Sequence, residues 1–238
     1  MKKFSALLLL VCAFGLVKAQ NLQLHYDMGE GRKMFTSTVE MFKPDQMGST
    51  FFFIDMDYGS EESEVDGISL AYWEIARSFK ISNNTSFEPR IEYNGGFGRG
   101  QFESTADGET FVNDYHYSIN SAFLVGGQYT WNNVDFSKVF TFQANYKYIK
   151  DVEDVSFQLT GVWTMHFFDR AVTFSGFADF WKEEKAHLGT DFVFLAEPQL
   201  WYNFSEHFSA GGEIELANNF ASHKGFKVCP TLAVKWNF

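Results

Sequence analysis

Between Phe140 and Tyr148 the chain reads FTFQANYKY, with Phe140, Phe142, Ala144, Tyr146 and Tyr148 in one phase and Thr141, Gln143, Asn145 and Lys147 in the other. A strict period of two makes a strand whose faces meet unlike surroundings. The pattern recurs in Leu22-Leu24-Tyr26-Met28, Phe52-Ile54-Met56-Tyr58, the run Phe157 to Phe167 and the run Val172 to Phe180. In FEPRIEYN, Phe87, Pro89, Ile91 and Tyr93 alternate with Glu88, Arg90, Glu92 and Asn94. No stretch of useful length carries helical periodicity.

A soluble sandwich would have to bury an aromatic face on nearly every strand. Aromatics are 19% of the chain, with 29 Phe and 10 Tyr, yet mean hydropathy is only −0.19. That combination fits a membrane barrel, where every second strand residue meets lipid and the others face a wet interior. Lipid cannot hydrogen-bond a backbone, so the strands must close on themselves. The fold class is therefore all-β: a transmembrane antiparallel β-barrel.

The alternating segments number about twelve, an even count as single-chain outer-membrane barrels require. Short connections at Lys43 to Gly48, Ser82 to Asn84, Asn132-Asn133, Asp169-Arg170 and Ser205 to His207 largely alternate with longer ones. The longer ones are Gly59 to Gly67, Gly95 to Val112, Lys182 to Asp191 and Asn218 to Gly225. Gly95 to Val112 reads as a flexible glycine-rich outer loop, able to fold inward as a constriction. Proline removes a ladder donor, so bulges are expected at Pro89 and Pro198, inside the related stretches EPRIEYN and EPQLWYN.

The opening MKKFSALLLLVCAFGLVKAQ places Lys2 and Lys3 before an apolar run too short to span a bilayer, then Val17-Lys18-Ala19. This is the pattern of a cleaved secretory signal over residues 1–19, leaving 20–238 as the barrel. Removing Lys2, Lys3 and Lys18 leaves 16 of the 19 basic residues against 30 acids, a net charge of −14. So acidic a chain is a poor candidate for binding nucleic acid. Cys229 is then the sole cysteine, which excludes an intrachain disulfide. At the other end Val228, Leu232, Val234, Trp236 and Phe238 share one phase. This looks like the terminal strand by which the barrel assembly machinery recognises its clients, and it places the chain in the outer membrane of a Gram-negative bacterium, in contact with its lipid.

The polar phases supply the candidate channel lining: Phe53, Asp55, Glu74, Glu88, Arg90, Glu92, Lys147, His166, Asp179, Trp181, Glu197, Trp201, Glu213 and Glu215. Adding Glu40 and Asp57 to the acids, and Lys80 and Lys235 to the bases, gives ten acids against four bases. Such a lumen tolerates cations and disfavours phosphates. Uncharged hydrogen-bonding solutes suit it better, with Trp181, Trp201 and Phe53 as stacking surfaces and carboxylates as acceptors.

Competing chemistry finds little support. His116-Tyr117-Ser118 has the spacing of a base and nucleophile on a strand, as in outer-membrane lipid hydrolases. Tyr115, Tyr117 and Ile119 claim the lipid phase, however, which would turn His116 and Ser118 inward. The six His are scattered and the acidic run Glu61 to Asp66 lacks a calcium-loop spacing, so no metal or other cofactor is expected. Gly95 to Gly100 does not match a phosphate-cradling loop. The chain reads as a non-enzyme.

SGFADFW (Ser175 to Trp181), FLAEPQLWYNF (Phe194 to Phe204), the NNF at Asn218 to Phe220, and QYTWNNVDFSKVFTFQANYKYI (Gln128 to Ile149) resemble the Tsx-like nucleoside-specific channel-forming porins. The resemblance covers roughly the C-terminal half. It implies a monomeric twelve-stranded barrel passing nucleosides through a narrow channel lined by aromatic and ionisable groups. A non-conducting barrel serving as anchor or adhesin is the alternative.

Overall fold

The structure, a computed structural model, describes residues 20–59 and 65–238. The expected signal peptide at 1–19 and most of the acidic run at 60–64 lie outside the described residues. Thirteen strand segments follow in order: β1 (Gln20–Asp27), β2 (Phe35–Asp45), β3 (Gly48–Tyr58), β4 (Ile68–Phe79), β5 (Phe87–Ala106) and β6 (Glu109–Asn132). The second half holds β7 (Lys138–Ile149), β8 (Ser156–Phe167), β9 (Val172–Lys185), β10 (Thr190–Ala196), β11 (Gln199–Asn203), β12 (Phe208–Asn218) and β13 (Phe226–Asn237).

Apart from β10 and β11, each segment pairs antiparallel with its chain neighbours, and β1 pairs with β13 from Asn21↔Asn237 to Asp27↔Thr231. The sheet is closed. Strands β10 and β11 both pair with β9 and β12 in a single register, so they form one stave interrupted at Glu197-Pro198. Thirteen segments thus make a twelve-stave barrel. Both termini lie at the end that carries the shorter turns, the periplasmic end of an outer-membrane barrel.

Alternation governs the wall as the sequence implies. On β1, Leu22, Leu24 and Tyr26 are exposed while Gln23, His25 and Asp27 are buried. On β5, Phe87 and Ile91 are exposed while Arg90, Glu92 and Asn94 are buried. An apolar outer phase and a polar inner phase are the reverse of a soluble core, as lipid outside and polar groups inside require.

The prolines are accommodated without the expected bulges. Pro89 pairs with Gly127 in unbroken register, and β4 stops pairing at Ser78↔Arg90. Pro89 therefore has a strand neighbour on one side only and behaves as an edge residue, where proline is tolerated. Pro198 divides its stave instead of bulging it. The ladder continues around the break, with the Glu197 amide donating to Phe177 at 3.0 Å and the Ile214 amide donating to the Pro198 carbonyl at 3.0 Å. Gly176 faces the break at φ +148°, where a Cβ would stand 2.3 Å from the Glu197 carbonyl oxygen.

The bulge lies elsewhere. Asn94 pairs with Ala122 but Gly96 pairs with Ile119, so β6 carries one extra residue opposite Gly95. Beyond that point the faces of β6 are exchanged. Ile119, Tyr117 and Tyr115 pair with Gly96, Gly98 and Gly100, which continue the inner phase of Arg90, Glu92 and Asn94. The sequence-based assignment is thereby corrected: Tyr115, Tyr117 and Ile119 share the inner phase, and His116 and Ser118 the outer one. Neither the His116 nor the Ser118 side chain is hydrogen-bonded among the described residues, and the neighbouring Asp114 carboxylate accepts from Gln101 at 2.8 Å.

Gly95 to Val112 is likewise corrected, from flexible loop to strand. β5 and β6 remain paired to Ala106↔Glu109, with only Asp107 and Gly108 between them. β4 leaves β5 at Gly98 and β7 leaves β6 at Ala122, so the hairpin continues alone as a two-stranded ribbon. At ~3.3 Å per residue, residues 99–106 carry it roughly 26 Å past the barrel wall. The expected loop from Lys182 to Asp191 also shortens, since β9 runs to Lys185 and β10 starts at Thr190.

Candidate channel lumen

The inner phases of the staves build two hydrogen-bonded groups on facing sides of the lumen. On the side of β10 to β13 and β1 to β3, Arg32 reaches in from the connection after β1. Its guanidinium donates to Glu215 at 2.7 and 3.0 Å and to Asp27 at 3.0 Å. Below it, Gln199 donates to Glu213 at 2.7 Å and the Trp201 indole donates to Gln199 at 3.0 Å. His25 Nδ1 lies 3.0 Å from the Thr231 hydroxyl and its Nε2 3.0 Å from Gln23. Thr38 donates to Asp55 at 2.5 Å and Thr36 to Asp57 at 2.7 Å. Glu197, at the proline break itself, has no side-chain hydrogen bond among the described residues. It interacts electrostatically with Glu213, Glu215, Asp55 and Arg32.

On the side of β4 to β9, Tyr72 donates to Glu74 at 2.7 Å and Asn94 donates to the same carboxylate at 3.1 Å. Arg90 is ion-paired with Glu92, and Gln128 donates to Glu88 at 2.9 Å. Lys147 donates to Gln158 at 2.7 Å, Gln158 to Thr160 at 3.2 Å, and Thr160 to Asp179. Glu74 on β4 interacts electrostatically with Asp179 on β9 and Lys147 on β7. His166 sits nearer the short turns, its Nδ1 3.0 Å from the Thr173 hydroxyl.

The candidate residues thus all occupy inner-phase positions, but they do not form one open surface. Trp201 is 0% exposed: the Lys235 ammonium lies 3.9 Å from its ring centre, and His25 meets it edge-on at 5.9 Å. Trp181 is covered by Lys147 at 4.4 Å and by Phe220 at 6.1 Å, and its indole donates to Glu183 at 2.7 Å. Both indoles are engaged by cations of the protein itself. Phe53 belongs to an inner aromatic row, 6.0 Å from Phe51 and 5.9 Å from Tyr72. Lys80 follows the end of β4, in the turn and outside the lumen.

Sequence reasoning missed Asp27 and Arg32. Arg32 stands in a connection, where strand parity assigns no direction, and its carboxylate partner is 183 residues away. Among the described residues, no group of three or more His, Cys, Asp or Glu is arranged to hold a metal ion.

Residues 19–238 match a family described as a domain of unknown function, DUF5020. The chain belongs to that family. No curated protein matches it. Among solved structures, the NanC porin aligns with TM-score 0.58 at 11% identity, over 92% of this chain and 100% of that one. The KdgM porin in complex with disordered oligogalacturonate aligns with TM-score 0.53 at 10% identity, over 92% and 99%. The translocator domain of the autotransporter NalP from Neisseria meningitidis gives 0.50 at 10% identity, over 100% and 96%. At these identities the likeness is one of fold: a closed outer-membrane β-barrel of the Gram-negative type, shared by porins and a translocator domain.

Proposed function

We propose that the chain is a narrow outer-membrane channel for passive diffusion of small polar solutes, acting as a monomer, with uncharged nucleosides as the candidate class. The supporting observation is the composition of the inner wall. A closed barrel carries Glu40, Asp55, Asp57, Glu74, Glu88, Glu92, Asp179, Glu197, Glu213 and Glu215 inward, together with Asp27, against Arg32, Arg90, Lys147 and Lys235. Carboxylates in excess raise the barrier for anions and lower it for cations. Phosphorylated solutes are disfavoured, and oligogalacturonate with them. The nucleoside assignment draws on the resemblance of the C-terminal half to Tsx-like channels, and on donors and acceptors suited to an uncharged heterocycle. Reconstitution in planar bilayers tests it: single-channel current should be cation-preferring and should fall as adenosine or uridine is titrated in, while nucleotides should have little effect.

One observation favours a second reading. Trp201, Gln23, His25, Asp27, Arg90 and Glu92 are all buried inside the barrel, as in a lumen filled by its own side chains. A barrel that inserts but carries no current would mark the chain as an anchor or adhesin.

A further inference from the structure

The ribbon beyond the barrel has two unlike faces. Gly98, Gly100, Phe102, Phe111, Asn113, Tyr115 and Tyr117 share one, while Arg99, Gln101, Glu103, Asp114 and His116 share the other. Phe102, Phe111, Tyr115 and Tyr117 are each about half exposed, on a segment that no neighbouring stave flanks. Lipid does not explain them, because the bulge opposite Gly95 places this face in the inner phase. A contiguous aromatic patch in water is the mark of a contact surface.

The glycines give that surface its shape. A Cβ on Gly98 would stand 2.1 Å from the Tyr117 ring, and one on Gly100 2.3 Å from the Tyr115 ring. Only glycine lets the two rings lie against the ribbon backbone, which turns their other faces outward. The rings stack at 6.3 Å and 29°, and Phe102 continues the row 6.4 Å from Tyr115. On the far side of Gly96 the same phase holds Tyr72, then Phe53 and Phe51, inside the barrel. Two aromatic rows, one on the ribbon and one in the lumen, therefore share a phase on either side of Gly96 and Ile119.

We propose that the β5–β6 ribbon is a capture platform for uncharged, ring-bearing solutes of the nucleoside type, which stack on Tyr115 and Tyr117 before entering the barrel. This rests on the channel reading and adds an entry site to it. Flat outward rings suit a planar heterocycle, since every base presents a π-face. The charges select the uncharged form: Glu109 shares the aromatic face and Asp107 stands at the tip beside it, while Arg99 lies on the opposite face, where it donates to the Asp66 carbonyl. Phosphate would meet repulsion and no Lys or Arg on that face of the ribbon.

Equilibrium dialysis of labelled adenosine against the purified full-length barrel tests this, using wild type, a Tyr115→Ala/Tyr117→Ala variant and a Tyr115→Phe/Tyr117→Phe variant. All three must first show heat-modifiable migration of a folded barrel. The alanine pair should bind adenosine about tenfold more weakly, the phenylalanine pair should stay within about threefold of wild type, and AMP should bind wild type at least tenfold more weakly than adenosine. Equal binding by wild type and the alanine pair, no binding by wild type, or AMP binding as tightly as adenosine would each overturn the proposal. Tyrosine-dependent binding of maltohexaose in place of adenosine would overturn the ligand class. Wild-type ion conductance is read separately. Conductance without tyrosine-dependent binding removes the platform and leaves the channel; tyrosine-dependent binding without conductance supports the binding site and removes the channel.

Discussion

The Lys235 ammonium sits 3.9 Å from the centre of the Trp201 indole, a cation over an aromatic face inside the barrel. Trp201 therefore works as packing and as a partner for a protein cation, and it offers no open face to a solute. Trp201→Ala should destabilise the barrel by about 3–5 kcal/mol, the usual cost of removing a buried Trp. Lys235→Met, which keeps the stem and deletes the charge, should cost about 0.5–2 kcal/mol. Urea unfolding in detergent, followed by tryptophan fluorescence, measures both. A Trp201→Ala barrel of wild-type stability with altered solute block would restore Trp201 as a stacking wall.

The phase of each stave was legible, because lipid enforces it locally: Leu24 and Ile91 must face outward whatever else the chain does. Cross-strand register was not legible, so nothing in EPQLWYN indicates that Lys235 covers its tryptophan. The ribbon was missed for a related reason. Gly96, Gly98 and Gly100 look like loop composition, yet two of them are glycine because the facing tyrosine rings occupy the space of a Cβ. The bulge was hidden too, since one extra residue among Ile119, Asn120 and Ser121 leaves no compositional trace and still reverses every side chain beyond it.

Gly176 should be the residue that tolerates change least around the strand break. An alanine there meets the Glu197 carbonyl at 2.3 Å and a backbone φ of +148° that side chains rarely adopt. Gly176→Ala should lower the yield of heat-modifiable barrel several-fold. Pro198→Ala, which restores a donor at an existing break, should leave the yield near wild type. Equal yields from the two variants would show that the break is not held by Gly176.

Topology can be read by labelling. In a Cys229→Ser background, a cysteine at Glu109, next to the ribbon tip, should react with an impermeant maleimide on intact cells. One at Val134, in the turn between β6 and β7, should react only after the outer membrane is opened. Labelling of Val134 alone would invert the barrel.

Arg32 joins Asp27 and Glu215 at the loop end of the lumen, so removing it leaves two carboxylates without their cation. Arg32→Gln should therefore increase cation preference, seen as a larger reversal potential under a salt gradient. The stability loss should stay below the ~3–5 kcal/mol of a fully buried pair, because the Arg32 side chain is 25% exposed. An unchanged reversal potential in the variant would place Arg32 away from the ion path.

Glu92 and Glu197 offer the sharpest comparison, since both are inner-phase carboxylates in related stretches but only one has a partner. Glu92 is ion-paired with Arg90, and their charges largely cancel for an ion passing by. The Glu197 carboxylate has no side-chain hydrogen bond among the described residues and lies within electrostatic reach of Glu213, Glu215 and Asp55, with Arg32 the one cation that also acts on it. Glutamine keeps the size of each side chain and removes its charge. Glu197→Gln should reduce cation preference without loss of folded barrel. Glu92→Gln should cost stability, because it strands the buried Arg90 guanidinium, and that uncovered cation should also reduce cation preference. Reversal potential and urea midpoint, measured on both variants, separate the cases: a shift in potential alone for Glu197→Gln, and a shift in both for Glu92→Gln. An unchanged reversal potential in a conducting Glu197→Gln barrel would mean that this carboxylate does not face the ion path, and the acidic lumen would then have to act through Asp55 and Glu213 instead.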